Sequence, residues 1–406
     1  MRLFEILNWY GLLTLTHLFA QINFGHREYL NSMKQDEQID SAAVRQQRKS
    51  PYFLHSVAII IPTYNEEPAD LERCVQSALS QQYDATLSVI VIDDGSKDKR
   101  GIHHIKEKFS TIPNLFIHEF EKNKGKRHAQ KYAFDFFGDS VDIMVTIDSD
   151  TVLAPDSVAN LVLLFADPKV GAVTGDVRAI KQNFLSTLID ARYWTAFNQE
   201  RAAQSLFGTV LCCSGPLAAY RNSIIQKVKE AYVSQRFMGQ YCTYGDDRHL
   251  TNLILEQGYT VHYERRAKAW TYVPQKIRPW LKQQTRWNRS FYRELLWTVK
   301  RVIFKRKYQN IYMVYDLSMQ SILPILLLAS LLFVCIKSVT ESPLYLLGYL
   351  TILISVALLR GTYAYLRTHE KMFFLFPLYA FCHIFLLIPV RVYALCTLKT
   401  TKWGTR

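Results

Sequence analysis

Two aspartates separated by one residue follow a short apolar run in the middle of the chain. Ile143-Met144-Val145 is typical of a buried strand, and Asp148-Ser149-Asp150 comes shortly after it. Open α/β sheets bind their ligands at the carboxyl ends of such strands. Carboxylates at this spacing could hold a divalent cation, which would neutralise a diphosphate leaving group. The alternative is a solvated Asp-Ser-Asp turn.

Two further polar groups could contact a nucleotide. Asp93 and Asp94 follow the apolar run 87–92 and could accept hydrogen bonds from a nucleoside base and ribose. Lys126 and Arg127 follow a glycine, in an arrangement suited to phosphates. An ordinary Asp-Gly turn and a surface basic cluster are the alternatives.

A second acidic pair, Asp246 and Asp247, precedes the helical run 250–257. One of the two could be a general base that takes the proton of an attacking hydroxyl. The alternative is a helix cap, since aspartate before a helix is common.

Gln283, Arg286 and Trp287 lie on one basic, aromatic helical segment. Glutamine provides an amide donor, arginine can clamp a diphosphate, and an indole offers a stacking face for a sugar. Alone, the same pattern indicates only an amphipathic helix.

Strand and helix patterns alternate around these groups, which predicts a parallel, doubly wound α/β sheet. The predicted strands are apolar, β-branched runs, at Val57–Ile61, Leu87–Ile92, Leu115–Phe120, Ile143–Ile147 and Val170–Gly175.

Composition indicates a soluble body attached to a membrane region. The chain has 406 residues, and its formal net charge of +14 is compatible with anionic lipid, anionic substrate or nucleic acid. No nucleic-acid motif accompanies the charge, so a nucleic-acid partner is not predicted. The seven cysteines show neither a Cys-x-x-Cys pair nor metal-ligand spacing, which favours a reducing, cytosol-facing body. No cleavable signal peptide is predicted.

Membrane segments are predicted at both ends. Residues 1–25 indicate one N-terminal membrane helix, with an interfacial helix as the alternative, and residues 26–56 form a basic linker. Residues 317–336 and 343–359 are long enough to span, and positive charges flank the pair. Residues 372–396 could cross a third time or follow an interfacial or re-entrant path.

The order of these motifs resembles the processive family 2 glycosyltransferases, which include cellulose, chitin and hyaluronan synthases. The resemblance is greatest to bacterial hyaluronan synthases. It is carried by the segments Ile61–Glu66, Gly125–Gln130, Glu200–Ser205, Cys213–Leu217, Gly245–Arg248, Leu281–Gln284 and Trp403–Arg406.

Nodulation chitooligosaccharide synthases are the next most similar group. Tyr193-Trp194, the segment 248–251 and the single N-terminal span are like theirs. In contrast, Gly-Asp-Asp at 245–247, Cys-Ser-Gly-Pro at 213–216 and the Trp-Gly-Thr-Arg tail favour hyaluronan as the product.

The resemblance implies a GT-A catalytic domain and a membrane channel. The implied organisation is an N-terminal membrane helix at 1–25, a linker at 26–56, the GT-A domain at 57–274, interfacial amphipathic helices at 275–310, transmembrane or re-entrant helices at 311–398 and a gating segment at 399–406. The implied location is the plasma (inner) membrane, with the catalytic domain in the cytosol.

The resemblance also implies a role for each candidate residue. Asp148 and Asp150 would anchor Mg²⁺ or Mn²⁺ on the diphosphate of a UDP-sugar, and Asp247 would be the catalytic base of one inverting displacement. The other nucleotide contacts would come from Thr63, Tyr64, Glu66, Asp93 or Asp94, Lys126, Arg127, Asp246, Gln283 and Arg286. Cys213, Ser214, Gly215 and Trp287 would hold the acceptor.

Trp403 and Arg406 would belong to a segment that closes over UDP, which requires a tail on the cytosolic side and favours a non-crossing path for 372–396. The implied partners are UDP-GlcNAc, UDP-GlcA, the growing polysaccharide and membrane lipid, with no obligate protein partner.

Overall fold

The computed structural model describes residues 2–39, 55–304 and 310–401. A long helix, α1 (Arg2–Ile39), precedes a catalytic body that alternates strands and helices. The strands are β1 (Val57–Thr63), β2 (Leu87–Asp93), β3 (Leu115–Glu119), β4 (Ile143–Thr146), β5 (Thr151–Leu153), β6 (Val170–Ala179), β7 (Ala218–Arg221), β8 (Arg236–Phe237), β9 (Gln240–Tyr241) and β10 (Thr260–Thr271).

The helices of the body cover both faces of the sheet. They are α2 (Pro68–Leu79), α3 (Arg100–Lys108), α4 (Lys126–Phe137), α5 (Ser157–Leu163), α6 (Phe184–Thr195), α7 (Ala202–Leu206), α8 (Asn222–Val233), α9 (Asp246–Glu256) and α10 (Ile277–Thr298). A π-helical segment, Ala196–Arg201, joins α6 to α7, and a second, Val299–Ile303, follows α10.

The main sheet has eight strands in the order β3-β2-β1-β4-β7-β6-β10-β5. The pairs β1–β2, β2–β3, β1–β4 and β6–β10 are parallel, which confirms the predicted mostly parallel α/β fold. Strand β7 runs antiparallel to both of its neighbours, and β5 runs antiparallel to β10. The short strands β5 and β7 were not predicted.

Register brings the candidate residues to one edge of this sheet. Strand β1 is buried along its whole length, as expected for a parallel strand covered on both faces. Thr63 at its end pairs with Asp93, and Ile60 pairs with Thr146, two residues before Asp148. The carboxyl ends of β1, β2 and β4 therefore open onto a common crevice.

Helix α1 continues well beyond the predicted membrane helix, so the predicted linker at 26–56 is helical as far as Ile39. Contacts with the folded body explain the difference. Arg265 Nε donates to Ser32 Oγ at 2.8 Å, and the guanidinium of Arg367 lies 3.3 Å from the centroid of the Tyr29 ring. The rest of the linker, residues 40–54, lies outside the described residues.

Three segments in the described part of the chain are long and apolar enough to cross a membrane, which marks this as a membrane protein. They are α11 (Ile311–Thr340), α12 (Leu344–Thr368) and a broken segment, Lys371–Cys396. The predicted spans 317–336 and 343–359 lie within or overlap the first two. Helix α1 is not among these segments, so its crossing stays a prediction.

The third segment is divided into short pieces. A 3₁₀ turn, Lys371–Leu375, leads into α13 (Phe376–Cys382), a π-helical turn, His383–Leu387, and α14 (Ile388–Cys396). Pro377 and Pro389 stand in the first turns of α13 and α14, where the missing N–H is tolerated.

Both ends of this broken segment contact the same body. Before it begins, Glu370 accepts hydrogen bonds from Lys181 at 2.8 Å and from Arg178 at 3.2 Å. After it ends, Thr397 Oγ1 accepts one from Arg289 of α10 at 2.8 Å. A segment that starts and finishes on one body supports the non-crossing or re-entrant path.

Candidate active site

A cavity of about 1100 Å³ opens at the carboxyl edge of the sheet and extends over α10. It gathers most of the candidate residues, which are far apart in the sequence. Those that line it are Thr63, Tyr64, Asp94, Lys126, Asp148, Asp150, Ser214, Gly215, Asp246, Asp247, Gln283, Arg286 and Trp287.

The Asp-Ser-Asp turn is shaped so that its two aspartates line the cavity. A hydrogen bond from Thr151 N to Asp148 O, 3.0 Å long, closes the turn between β4 and β5. Thr271 Oγ1 of β10 donates to Asp150 Oδ1 at 3.1 Å, while Ser149 Oγ donates to Glu66 Oε2 at 2.6 Å. Glu66 therefore supports the turn, and its contact with the nucleotide stays a prediction.

Lys126 occupies the centre of the acidic residues. Its ammonium lies 2.6 Å from Asp148 Oδ1, 3.0 Å from Asp246 Oδ2 and 3.8 Å from Asp247 Oδ1. Burial opposes the charge on Lys126, but the three carboxylates outweigh burial and raise its pKa well above the usual range. The lysine thus stays charged and draws the acidic pair of α9 toward the turn after β4.

The two acids of α9 are pushed toward opposite protonation. Burial and the adjacent carboxylate of Asp246 raise the pKa of Asp247, against the charge of Lys126. Burial also opposes ionisation of Asp246, but Lys126 and a hydrogen bond from Asp247 outweigh it and lower the pKa of Asp246. Asp247 thus has the higher proton affinity of the two and, in its ionised form, is the group suited to accept a proton.

Two glycines allow this close approach. Gly245 precedes α9 with φ +81°, and a Cβ there would come within 2.1 Å of Ser290 Oγ. Gly215 donates its N–H to Asp247 Oδ2 at 3.0 Å. A Cβ on Gly215 would lie 3.1 Å from both oxygens of Asp148 and from Oδ2 of Asp247. The carboxylate oxygens of Asp148 and Asp247 thus approach the Cα hydrogen of Gly215 closely, where a side chain would separate them.

The carboxylates of the turn after β4 fit a divalent cation in the nature of their donors, since Mg²⁺ and Mn²⁺ prefer carboxylate oxygens. Asp148 and Asp150 are the residues that would hold it. Within the described ranges, however, no group of three His, Cys, Asp or Glu side chains is arranged to hold a metal. Asp148 and Asp150 alone would supply part of a coordination shell, as is usual for magnesium that is shared with phosphate oxygens.

Helix α10 carries the residues predicted to bind diphosphate and acceptor. Gln283, Arg286 and Trp287 all lie along the cavity, and the Trp287 side chain is 40% exposed. Its ring lies 6.5 Å from that of Tyr193, with an interplanar angle of 35°. The aromatic pair offers an extended apolar surface of the kind on which sugar rings stack.

Several residues that line the cavity were not predicted from the sequence to be site residues. The π-helical segment after α6 brings Phe197, Glu200 and Arg201 to the cavity, and such segments are frequent at functional sites. Gln320 of α11 and Tyr379 of α13 also line it, so the cavity reaches the apolar helices. No periodicity in the sequence identifies a π-helical turn, which explains the omission.

Arg127 does not reach the cavity, which corrects the prediction that it contacts phosphate. Its guanidinium is buried and donates to the carbonyl oxygens of Tyr232 at 3.0 Å and Tyr244 at 3.2 Å. Since Tyr244 directly precedes Gly245, Arg127 supports the loop that carries the acidic pair.

Asp93 and Cys213 are also turned away from the cavity. Asp93 is buried and bound by Lys99 and Ser96, so of the Asp93-Asp94 pair only Asp94 lines the cavity. Cys213 is fully buried, and its backbone N–H donates to Thr251 Oγ1 at 2.9 Å. Of the three consecutive residues predicted to hold the acceptor, Ser214 and Gly215 line the cavity and Cys213 does not.

Trp403 and Arg406 lie outside the described residues. The segment that leads to them is attached to the catalytic body: Thr400 O accepts from Tyr244 Oη at 2.5 Å and from Arg293 at 2.8 Å. Thr401 O accepts from Thr243, and Thr401 lines the cavity. Thr401, the last residue that the structure describes, thus lies at the cavity rim beside the segment that leads to Asp246.

Comparison with known proteins identifies the family. Residues 58–229 match the family model described as glycosyl transferase family 2. The chain is 38% identical to a hyaluronan synthase of Streptococcus pyogenes over 358 residues, which cover 87% of this chain and 83% of that protein. It is 39% identical to an N-acetylglucosaminyltransferase of Mesorhizobium japonicum over 353 residues, covering 86% and 82%.

The fold has a solved counterpart in a mannosyltransferase of Pyrobaculum calidifontis, determined with GDP-Man and Mn²⁺. The TM-score is 0.59 at 19% identity, and the alignment covers 97% of this chain and 99% of the other. This likeness concerns the fold, which is that of GT-A glycosyltransferases. The chain therefore belongs to the processive glycosyltransferases of family 2, in the group that includes hyaluronan synthases and rhizobial N-acetylglucosaminyltransferases.

Proposed function

We propose that this glycosyltransferase polymerises UDP-GlcNAc and UDP-GlcA into hyaluronan and exports the chain through the membrane. The observation that carries the proposal is the convergence of Asp148 and Asp247 over Gly215, in a cavity that also contains Arg286 and Trp287. Nucleotide-sugar transfer needs acids, a diphosphate clamp and an acceptor surface together.

The donor side lies at the ends of β1, β2 and β4. Asp94 and Tyr64, which line the cavity, would contact the nucleoside, and Arg286, which also lines it, would bind the diphosphate. A divalent cation held by Asp148 and Asp150 would neutralise charge on the departing diphosphate. Lys126 adds a fixed positive charge in the same region.

Asp247 is the proposed base. Its carboxylate takes the proton of an acceptor hydroxyl, whose oxygen then forms a bond to C1 of the donor sugar. The bond from C1 to the β-phosphate oxygen breaks, and UDP leaves with that electron pair. Attack opposite to the leaving group converts an α-linked donor to a β-linked product. The N–H of Gly215 orients Asp247 for this transfer.

The acceptor side runs from Trp287 toward the apolar helices. Tyr193 and Trp287 provide the stacking surface, and Gln320 and Tyr379 mark where the cavity meets α11 and α13. Arg201, whose guanidinium lies 4.1 Å from the Phe197 ring centroid, contributes positive charge along the way. Such a lining is compatible with a polyanionic chain that leaves through the membrane.

The orientation we propose places the catalytic body in the cytosol, at the plasma (inner) membrane. All seven cysteines are free, which suits a reducing compartment. Lys181 and Arg178 hold Glu370, just after α12, against the body. The first long span, α11, would therefore start on the cytosolic side, and the second, α12, would return to it.

Asp247→Asn tests the base assignment. We expect UDP release to fall by about 10³-fold or more, because the amide cannot accept the hydroxyl proton, while UDP binding is retained. Turnover with defined nucleotide sugars and UDP affinity would be measured on the same purified full-length protein. Retention of polymer synthesis by the variant would refute the assignment.

A second product is favoured by one comparison, the 39% identity to an N-acetylglucosaminyltransferase. In that case UDP-GlcNAc alone would be polymerised into chitin oligomers. The Gly-Asp-Asp at 245–247 and Cys-Ser-Gly-Pro at 213–216 support hyaluronan, as noted for the sequence. The two products differ in whether UDP-GlcA is required.

A further inference from the structure

Lys126 places a cation within the acidic cluster. Its ammonium contacts Asp148 and Asp246 at 2.6 and 3.0 Å and lies 3.8 Å from Asp247. The side chain is only 19% exposed, and those of Asp246 and Asp247 are 6% and 31% exposed. Solvent therefore screens the contact with Asp246 weakly, which makes it stronger than a surface ion pair, whereas Asp148 is 34% exposed and its contact is screened more.

The lysine and a divalent metal would compete for the same oxygens. Asp148, which is the first carboxylate that would hold the metal, is also the acceptor of the shortest Lys126 contact. A metal ion on Asp148 would therefore bind next to a positive charge. A free divalent cation that approaches Asp148 meets electrostatic repulsion from the ammonium.

A nucleotide diphosphate removes this repulsion. The protein offers an incomplete shell, since no three acidic, histidine or cysteine side chains among the described residues are arranged around one metal position. Phosphate oxygens complete a magnesium or manganese shell and also offer the ammonium a new anionic partner. Lys126 and Arg286 line the same cavity, so a diphosphate bound by Arg286 would lie in the cavity that Lys126 also lines.

We propose that Lys126 excludes free divalent metal from the acidic cluster until the nucleotide diphosphate arrives, so that metal and donor bind together. The ammonium then moves from the carboxylates to the diphosphate. This exchange also removes the cation from beside Asp247, which becomes available to the acceptor hydroxyl only when the donor is in place. The inference rests on the proposed function for the identity of the donor.

The experiment measures Mn²⁺ binding to the purified full-length protein by electron paramagnetic resonance of free Mn²⁺, with and without UDP. For wild type we expect UDP to raise Mn²⁺ affinity by about 10-fold or more. In Lys126→Met, Mn²⁺ without UDP should bind about 10-fold more tightly than in wild type, because the repelling charge is absent. The gain should disappear in Lys126→Met combined with Asp148→Asn.

Lys131→Met is the matched control. Lys131 lies on the same helix, five residues further on, and pairs with Asp135 at 2.6 Å and Glu230 at 2.9 Å, but it does not line the cavity. Its substitution frees Glu230, leaves Asp135 with Lys229 at 2.6 Å and should leave the Mn²⁺ affinity of the cluster unchanged. An equal gain in both variants would mean that any freed carboxylate binds Mn²⁺, which overturns the proposal.

Unchanged or weaker Mn²⁺ binding by folded Lys126→Met would also overturn it. If Lys126→Met does not fold, the wild-type titration decides alone, since equal Mn²⁺ affinity with and without UDP contradicts exclusion. Neither titration uses a sugar donor or counts turnover. Failure of the wild type to release UDP from any nucleotide sugar would instead refute the proposed function and leave the measured exclusion standing.

Discussion

At the scale of single residues, the site depends on a glycine as much as on its acids. Gly215 lies where the backbone passes between Asp148 and Asp247, and it donates a hydrogen bond to the second of them. Its φ is not in the left-handed region, so alanine would be tolerated by the backbone itself. What alanine would change is the space between the two carboxylates.

Gly215→Ala should therefore reduce activity without unfolding the protein. The added methyl carbon would lie 3.1 Å from three carboxylate oxygens, so the acids must separate by a few tenths of an ångström. We expect UDP release to fall by about 10²-fold, because small displacements at a reacting centre have large effects on rate. Gly11→Ala is the control, since a Cβ there meets no atom within 4 Å. Full activity with Gly215→Ala would mean that catalysis does not depend on the close approach of the Asp148 and Asp247 carboxylates.

Neighbouring residues on one helix show what the sequence could not decide. The motif 125–127 predicted two cations for phosphate, but Lys126 lies in the acidic cluster while Arg127 supports the Tyr244 carbonyl. Successive side chains on a helix point about 100° apart, so only one of the two can face the cavity. Which one does so depends on how α4 packs, and residue type gives no information on that. The aspartates were predictable because strand ends in a parallel sheet share one edge.

At the scale of elements, α10 carries a basic and aromatic face and also holds the segment after α14, but the sequence predicted only the first role. Its basic and aromatic face predicted a membrane-surface helix, and that remains a prediction for exposed residues such as Leu296. Arg289 and Arg293 are instead buried and donate hydrogen bonds to Thr397 and Leu398, which follow α14. Long-range hydrogen bonds to a C-terminal segment leave no periodic signal in a helix.

Glu294 links α10 to α9, which carries the acidic pair. Its carboxylate accepts from Asn252 Nδ2 at 2.8 Å and lies 3.2 Å from His249 Nδ1, and it is 2% exposed. Burial opposes its ionisation, but His249 outweighs burial and keeps the pKa of Glu294 below the usual range. The buried charge therefore depends on these partners.

Glu294→Gln should destabilise the protein by about 1–3 kcal/mol, because a charged hydrogen-bonded network loses its charge inside the protein. The measurement is the apparent melting temperature in detergent by tryptophan fluorescence. Glu230→Gln, on the exposed face of α8, provides the comparison and should melt close to wild type. Equal melting of Glu294→Gln and wild type would show that the link carries no stability.

At the scale of the whole molecule, the path of the chain through the membrane decides whether the tail can reach the nucleotide. Hydropathy could not settle the path of 372–396, since the segment is long and apolar enough to cross. The contacts that support a non-crossing path join residues far apart, such as Arg178 with Glu370. Pairing over this distance in the sequence requires the folded body.

The tail and the catalytic body should therefore face the same compartment. An epitope inserted after Ser342, between α11 and α12, should be accessible to antibody on spheroplasts, in which the inner membrane is intact but the cell wall and any outer membrane have been removed. An epitope appended to the C-terminus should be accessible only after permeabilisation, because the segment 397–401 is bound to α10 and to the loop before α9. Surface exposure of the C-terminal epitope would contradict the non-crossing path.

The central claim is that one cavity joins two nucleotide sugars into a polymer. The most direct measurement is UDP release by the purified full-length protein with UDP-GlcNAc alone, UDP-GlcA alone and both together, with Mg²⁺ or Mn²⁺ present. The account predicts sustained release only with both sugars, together with a polymer that hyaluronidase degrades. Polymer from UDP-GlcNAc alone would contradict the product assignment, and no release with any nucleotide sugar would contradict the proposed function itself.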